Sequence, residues 1–287
     1  MSNIAIAKKL GLSARTVKKI IDAMIRDGVI SIKAVPNPAK MGNPASALIG
    51  LNVDTRKINN ICVELKKVPN IHIMVATFGR FDLFLMTFFP DWITLENFTK
   101  TKLKKINGIL SVYTFLSSEN KMGSYGLFNN VSSEDNESGL DAMDRKLVSE
   151  LMNNGRLEYS DLVTKLGTSR STISRRISSL IDKDIISIKA IPNLNLEYSA
   201  DAFILVSADF SKIDDICKKL VSYPETHLVM KLMNDYDILL TINSTNREEL
   251  YKFITGKVAN IDGVLKSETF LVAKFLHFNT YALLGKQ

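Results

Sequence analysis

Arg15, Lys18 and Lys19 lie on one side of a segment whose other side carries Val17, Ile20, Ile21, Met24 and Ile25 at i, i+3, i+4, i+7 and i+8. That spacing is one apolar face of a helix with 3.6 residues per turn, and it leaves Arg15, Lys18, Lys19, Asp22 and Arg26 on the opposite face. Arg170, Arg175 and Arg176, with Ser171 and Ser174 among them, repeat the arrangement further on. Cationic side chains on an exposed helix can meet phosphates, and with hydroxyls beside them they can reach base edges in a major groove. A charged helix face is also an ordinary solvated surface, so the neighbouring elements decide between the two readings.

Three other residue types recur at one spacing. Cys62 and Cys217 each sit on the apolar stripe of a helix, with Ile58, Ile61 and Leu65 or Ile213, Ile216 and Leu220, which is the pattern of core packing. His72 and His227 each open a strand without a Cys or His partner at metal-ligand spacing, so a partly exposed strand-end histidine is expected and no metal site. Asp82 and Asp237 follow a hairpin by two or three residues, where an aspartate can stabilise the turn or contact a ligand. No catalytic residue and no cofactor is assigned.

The elements that would position these residues come in duplicate. A short helical segment, Ile4 to Leu10, leads through Gly11 to Ser13, which can cap the basic helix, and Gly28 can end it. Helix, short turn with glycine, basic helix is the outline of a helix-turn-helix. Residues 30 to 37 read ISIKAVPN and residues 186 to 193 read ISIKAIPN, and the identity extends outward at an offset of 156, then 155. A period this long is duplication of a whole module and not a solenoid. The second copy adds a helix in front, with Leu140, Met143, Leu147, Val148 and Leu151 at helical spacing; the first copy has no counterpart, because Met1 aligns with Leu157.

After each basic helix the signals alternate. Ala47–Val53, Ile71–Phe78, Phe81–Phe88 and Ile109–Leu116 read as strands, and Arg56–Lys67 and Leu95–Lys105 as helices, in the order β-α-β-β-α-β of a ferredoxin-like unit. Phe81, Leu83 and Leu85 are expected on one face of the sheet and Phe84, Met86 and Phe88 on the other. A sheet apolar on both faces needs cover on both, and the sister half supplies a matching sheet.

The balance of 46% hydrophobic and 23% charged residues in 287 is that of a globular protein of about two to four domains. The densest apolar run, Leu83 to Phe89, is interrupted by Thr87 and falls far short of the ~20 residues of a membrane span, and no secretion signal opens the chain. With only two cysteines, a cytoplasmic location and no membrane partner are expected. The net charge of +7 favours an anionic partner. Residues 1 to 40 hold eight Lys/Arg against two Asp, and residues 141 to 190 nine against seven Asp/Glu, so the two heads should differ in electrostatic pull.

Residues 140 to 190 and, more briefly, 6 to 34, each followed by a β-α-β-β-α-β module with FGRFDLFL or MNDYDILL at its second hairpin, resemble the leucine-responsive / asparagine-operon (Lrp/AsnC) family of transcription regulators. The resemblance implies an α+β fold: two copies of a winged helix-turn-helix joined to a ferredoxin-like effector domain, with the sheets paired face to face. The bounds expected are a helix-turn-helix lacking its first helix at 1–40, an effector domain at 42–128, a linker at 129–139, a winged helix-turn-helix at 140–193 and an effector domain at 199–287. It further implies double-stranded DNA as partner, met by Arg15, Lys18, Lys19, Arg170, Ser171, Ser174, Arg175 and Arg176. A small effector such as an amino acid would bind near Gly79, Arg80 and Asp82, and near Asp235 and Asp237, in a homo-oligomer or an intrachain pseudo-dimer. The family's hairpin glycine is Asn234 in the second copy. Two rival expectations stand beside this one: an enzyme like the sirohaem decarboxylases, which resemble the family and handle a tetrapyrrole through a histidine, and a ligand sensor that has lost DNA binding.

Overall fold

The computed structural model describes residues 3–122, 131–132, 139–193 and 200–284. Helix α1 (Asn3–Leu10) and helix α2 (Ala14–Arg26) form the first head, and α5 (Ala142–Asn153), α6 (Tyr159–Leu166) and α7 (Arg170–Asp182) the second. The caps follow the repeat: Ser13 accepts the N–H of Thr16 at 3.0 Å, and Ser169 that of Thr172 at 3.2 Å. Gly11 and Gly167 turn the chain at φ 65° and 64°, a left-handed conformation that costs glycine nothing. Asp184, standing where the first copy has Gly28, is held at φ 54°, the one non-glycine residue with positive φ among those described.

Strands β1 (Ile30–Pro36) and β7 (Ile186–Pro192), the two writings of the repeated octapeptide, pair with each other as an antiparallel ribbon. Lys33 faces Lys189 at its centre. The two residues are one repeat apart, so this pairing relates the heads by a pseudo-twofold axis.

The first effector half runs β2 (Ala45–Val53), α3 (Ile58–Lys66), β3 (Ile71–Phe78), β4 (Leu83–Phe89), α4 (Trp92–Asn97) and β5 (Ile109–Met122). A two-residue strand, β6 (Val131–Ser132), pairs with β5, and the second half runs β8 (Ala200–Ala208), α8 (Ile213–Val221), β9 (Thr226–Leu232), β10 (Ile238–Ser244), α9 (Arg247–Lys252) and β11 (Val264–Phe278). Apart from β6, the expected linker at 129–139 lies almost wholly outside the described residues.

The two sheets face each other, and their edges are also stitched: β3 pairs with β11 and β5 with β9, which gives a closed ring β2-β4-β3-β11-β8-β10-β9-β5. Closure leaves no bare edge in the ring. The strand faces without helices form one interior cluster that includes Phe84, Met86, Phe88, Phe203, Leu239 and Phe270. Phe84 stacks on Phe203 at 5.5 Å and meets Phe270 edge-on at 4.9 Å, contacts worth ~0.5–1.5 kcal/mol each beyond their area.

Three expectations are corrected. Phe81 belongs to the interior cluster with Phe84 and Phe88, not with Leu83 and Leu85. It precedes the strand, so alternation does not govern it, and its ring occupies the space a side chain at Gly50 would need, 2.8 Å from that Cβ position. Strand β5 runs on past Leu116 to Met122 because its second part pairs with β9 of the other half. His72 is fully buried instead of partly exposed. The turn after β11 closes over it: Nδ1 lies 2.7 Å from the Asn279 carbonyl, the ring packs on Phe88 and Phe278, and burial pushes its pKa down to about 4. His227 is half-buried. Both cysteines are buried thiols, not in a disulfide, in the helix-side cores.

Candidate nucleic-acid interface and hairpin site

Val17 is the one buried residue of α2, at 2% exposure, and α7 is pinned by Ile173 and Leu180, at 0% and 3%. The opposite faces are open. Arg15, Lys18 and Lys19 are exposed on α2, and Arg170, Ser171, Ser174 and Arg175 on α7. Ser171 exchanges a 2.9 Å hydrogen bond with the capping Ser169, and the Arg170 guanidinium lies 5.6 Å from the Tyr159 ring. The antiparallel ribbon places the two exposed faces in a twofold relation, which is the arrangement that meets two half-sites of a duplex.

Arg176 is a correction. Its Nη1 donates to Asp141 at 2.8 Å and to Asp144 at 2.7 Å, and its side chain is only 25% exposed. The acids raise its pKa, Asp144 most, and the Asp141 carboxyl is held below the ordinary range, first by the Asp144 N–H and then by Arg176. Arg176 therefore clamps α5 onto α7, with its guanidinium engaged by these two acids.

At the far end of the barrel, the two hairpins come together. Arg80 lies over the Phe81, Tyr113 and Tyr236 rings at 4.7, 5.4 and 5.9 Å, and its guanidinium is 3.5 Å from Glu268. Tyr236 donates to Glu268 at 2.5 Å, and burial followed by that carboxylate pushes its pKa up to about 12. Tyr113 donates to Asp235 at 3.0 Å. Arg80 and Asp235 are equivalent positions of the repeat, as are Tyr113 and Glu268. Sequence reasoning missed Tyr113, Tyr236 and Glu268; the change of Tyr to Glu between the copies was the signal available.

Asp82 and Asp237 stand apart from this cluster. Each accepts the N–H of the residue ending a strand, Val53 at 2.8 Å or Ala208 at 2.7 Å, and so fastens its hairpin to the sheet. Gly79 adopts φ 140°, whereas Asn234 has no positive φ and accepts from the Leu116 N–H at 3.0 Å. Beside the second hairpin an open groove of about 520 Å³ is lined by Phe210, Asp214, Lys231, Met233, Asn234 and Asp237. Phe210 is 88% exposed there, and Lys231 pairs with Asp214 at 2.5 Å. Among the described residues no group of three or more His, Cys, Asp or Glu could hold a metal ion, and no helix is long and apolar enough to cross a membrane.

Comparison with known proteins gives two family matches. The family described as winged helix-turn-helix DNA-binding matches residues 1–31 and 140–187, and that described as Lrp/AsnC ligand binding domain matches residues 46–126 and 201–280. The HTH-type transcriptional regulator FL11 of Pyrococcus furiosus is 34% identical over 137 residues, covering 47% of this chain and 90% of the relative. An uncharacterized HTH-type transcriptional regulator of Pyrococcus horikoshii is 31% identical over 140 residues, 48% of this chain and 93% of the relative. Among solved structures, the siroheme decarboxylase NirDL superposes with a TM-score of 0.68 over 98% of this chain and 90% of that one; at 13% identity this is a likeness of fold.

Proposed function

This chain belongs to the Lrp/AsnC family, and from that premise we propose that it is a sequence-specific DNA-binding transcriptional regulator that carries both members of a dimer-like unit in one polypeptide. The observation that carries this reading is the self-pairing of the repeated octapeptide about Lys33 and Lys189, which fixes two basic helices about one axis. Each head addresses a half-site, and the site is an imperfect palindrome, because Arg15, Lys18 and Lys19 are matched by Ser171, Ser174 and Arg175. The protein acts in the cytoplasm, as a binding protein and not as an enzyme. His72, on which a tetrapyrrole reading would draw, is a core group packed between Phe88 and Phe278.

The effector belongs in the groove at the second hairpin. Phe210 and Met233 offer apolar surface, and the Lys231–Asp214 pair presents both signs to a zwitterion such as an amino acid. Gly79, Arg80, Asp82 and Asp235 frame that end of the barrel and transmit its state. The DNA reading is tested by gel-shift of genomic fragments, including the region upstream of the protein's own coding sequence, under rising non-specific competitor. Retention of one fragment where the rest are stripped supports it; uniform loss contradicts it.

A further inference from the structure

An open groove of about 540 Å³ runs along the helix side of the second effector half. One wall is a single face of α8 and the turn after it, from Ile216 through Lys219 to Tyr223. The other is the helical stretch Phe253–Val258 that follows α9 and the loop into β11, with Gly256, Lys257 and Ile261. Its volume lies in the range of ~300–1,000 Å³ that holds small organic molecules. It shares no lining residue with the groove at the second hairpin.

Three exchanges between the copies meet in this groove: Glu64, Val68 and Thr101 of the first half become Lys219, Tyr223 and Gly256. Glu64 pairs with Lys67 at 2.6 Å, whereas Lys219 makes no ion pair among the described residues and lies 5.7 Å from the Tyr223 ring centroid. The other charges at the groove cancel in pairs: Lys212 with Asp262 at 2.7 Å, Lys218 with Asp215 at 3.0 Å, and Lys257 with Glu225 at 2.6 Å. One positive charge is left over, on Lys219. Gly256 has no positive φ, and a Cβ there would meet nothing within 4 Å. Glycine is a poorer helix former than the threonine of the other copy, so neither backbone nor packing calls for it. What the missing side chain leaves is room in the groove wall.

We propose that this groove binds a small carboxylic acid with an apolar body. The carboxylate meets the Lys219 ammonium, and the body lies against Tyr223, Ile216 and Ile261 in the room that Gly256 leaves. The charge balance selects a monoanion. A zwitterion would bring an ammonium to Asp215 and Asp262, which are already engaged, and a phosphate dianion would bring one charge too many.

The test is calorimetric titration of phenylacetate, indole-3-acetate and 4-methylpentanoate into the full-length chain, each beside its neutral amide. Saturable binding of at least one acid is expected, with its amide weaker by about tenfold or more. Lys219→Met and Gly256→Leu, both at exposed positions, should each weaken the acid by about tenfold or more, and Lys219→Arg should keep it. Equal affinity for acid and amide, binding that survives both Lys219→Met and Gly256→Leu, or no saturable binding of any of the three acids overturns the proposal. Binding lost with Phe210→Ala and kept with Lys219→Met would place the acid in the hairpin groove and overturn it as well. No DNA enters the experiment, so its outcome is separate from that of the regulator reading.

Discussion

Lys33 lies directly opposite Lys189 in the antiparallel ribbon that joins the two heads. Like charges in this relation destabilise a strand pair, and burial pushes Lys189 down from 10.5 to about 8. Between those two values the unfolded chain binds more protons than the folded one. The stability that the charged form withholds at neutral pH is therefore regained as pH rises from about 8 to 10.5. Lys189→Met should raise the melting temperature at pH 7 by roughly 1–3 °C, and its advantage over the unsubstituted chain should shrink across that window. Paired thermal melts from pH 7 to 10.5 read the difference; a constant gap would contradict the assignment.

The clamp on α5 is separable from DNA contact. Arg176→Ala should speed amide exchange in α5 severalfold while leaving the salt dependence of DNA binding unchanged, whereas Arg175→Ala should lower the slope of log affinity against log salt by about 0.9. Asp141 has its folded pKa below 3.8, so its contribution is present above that value and is lost as pH falls through the folded pKa. The gap in melting temperature between the unsubstituted chain and Asp141→Asn should close on acidification. A salt slope that fell with Arg176→Ala would return that residue to the groove.

Gly79 sits at φ 140°, with the Phe270 ring 3.0 Å from where a Cβ would be. Alanine there meets both backbone strain and a packed aromatic ring. Urea unfolding of Gly79→Ala should show a loss of ~1–3 kcal/mol. A change under half a kcal/mol would mean that the hairpin relaxes without cost.

The groove at the second hairpin should reveal its ligand by mass action on the folded state. In a heat-stability screen of amino acids, a binder at about 100 times its Kd contributes about 2.7 kcal/mol. Phe210→Ala should abolish the shift. Asp82→Ala, at a residue that does not line the groove and accepts from the Val53 N–H, should lower the melting temperature but keep the ligand-induced increment. If Asp82→Ala removed the increment and Phe210→Ala kept it, the effector would bind at the first hairpin instead.

What the sequence disclosed was local or repeated. The cap Ser13, the left-handed position Gly28, and the two-faced strand of Phe84, Met86 and Phe88 are legible because one turn or one alternation decides them. The identity of two octapeptides announced a duplication but not that the copies pair with each other. Arg176 was misread because its acids lie 32 and 35 residues earlier on another helix. His72 was misread because its cover comes from Asn279, 207 residues on. Arg80, Tyr113, Tyr236 and Glu268 meet only through closure of the barrel, which no local pattern encodes.

Unequal heads on one axis are the core of the account, and a competition gel-shift on two variants measures them most directly. On the proposed reading the second head, with α5 packed into its core, reads sequence through base contacts worth ~1–3 kcal/mol each, and the first head contributes mainly attraction. Arg170→Ala with Arg175→Ala should erase the preference for the specific fragment. Substituting Arg15, Lys18 and Lys19 should instead weaken binding to every fragment alike and flatten its salt dependence by about 0.9 per lost contact. Site preference that survives loss of Arg170 and Arg175 would contradict the account and place the reading of sequence in the first head.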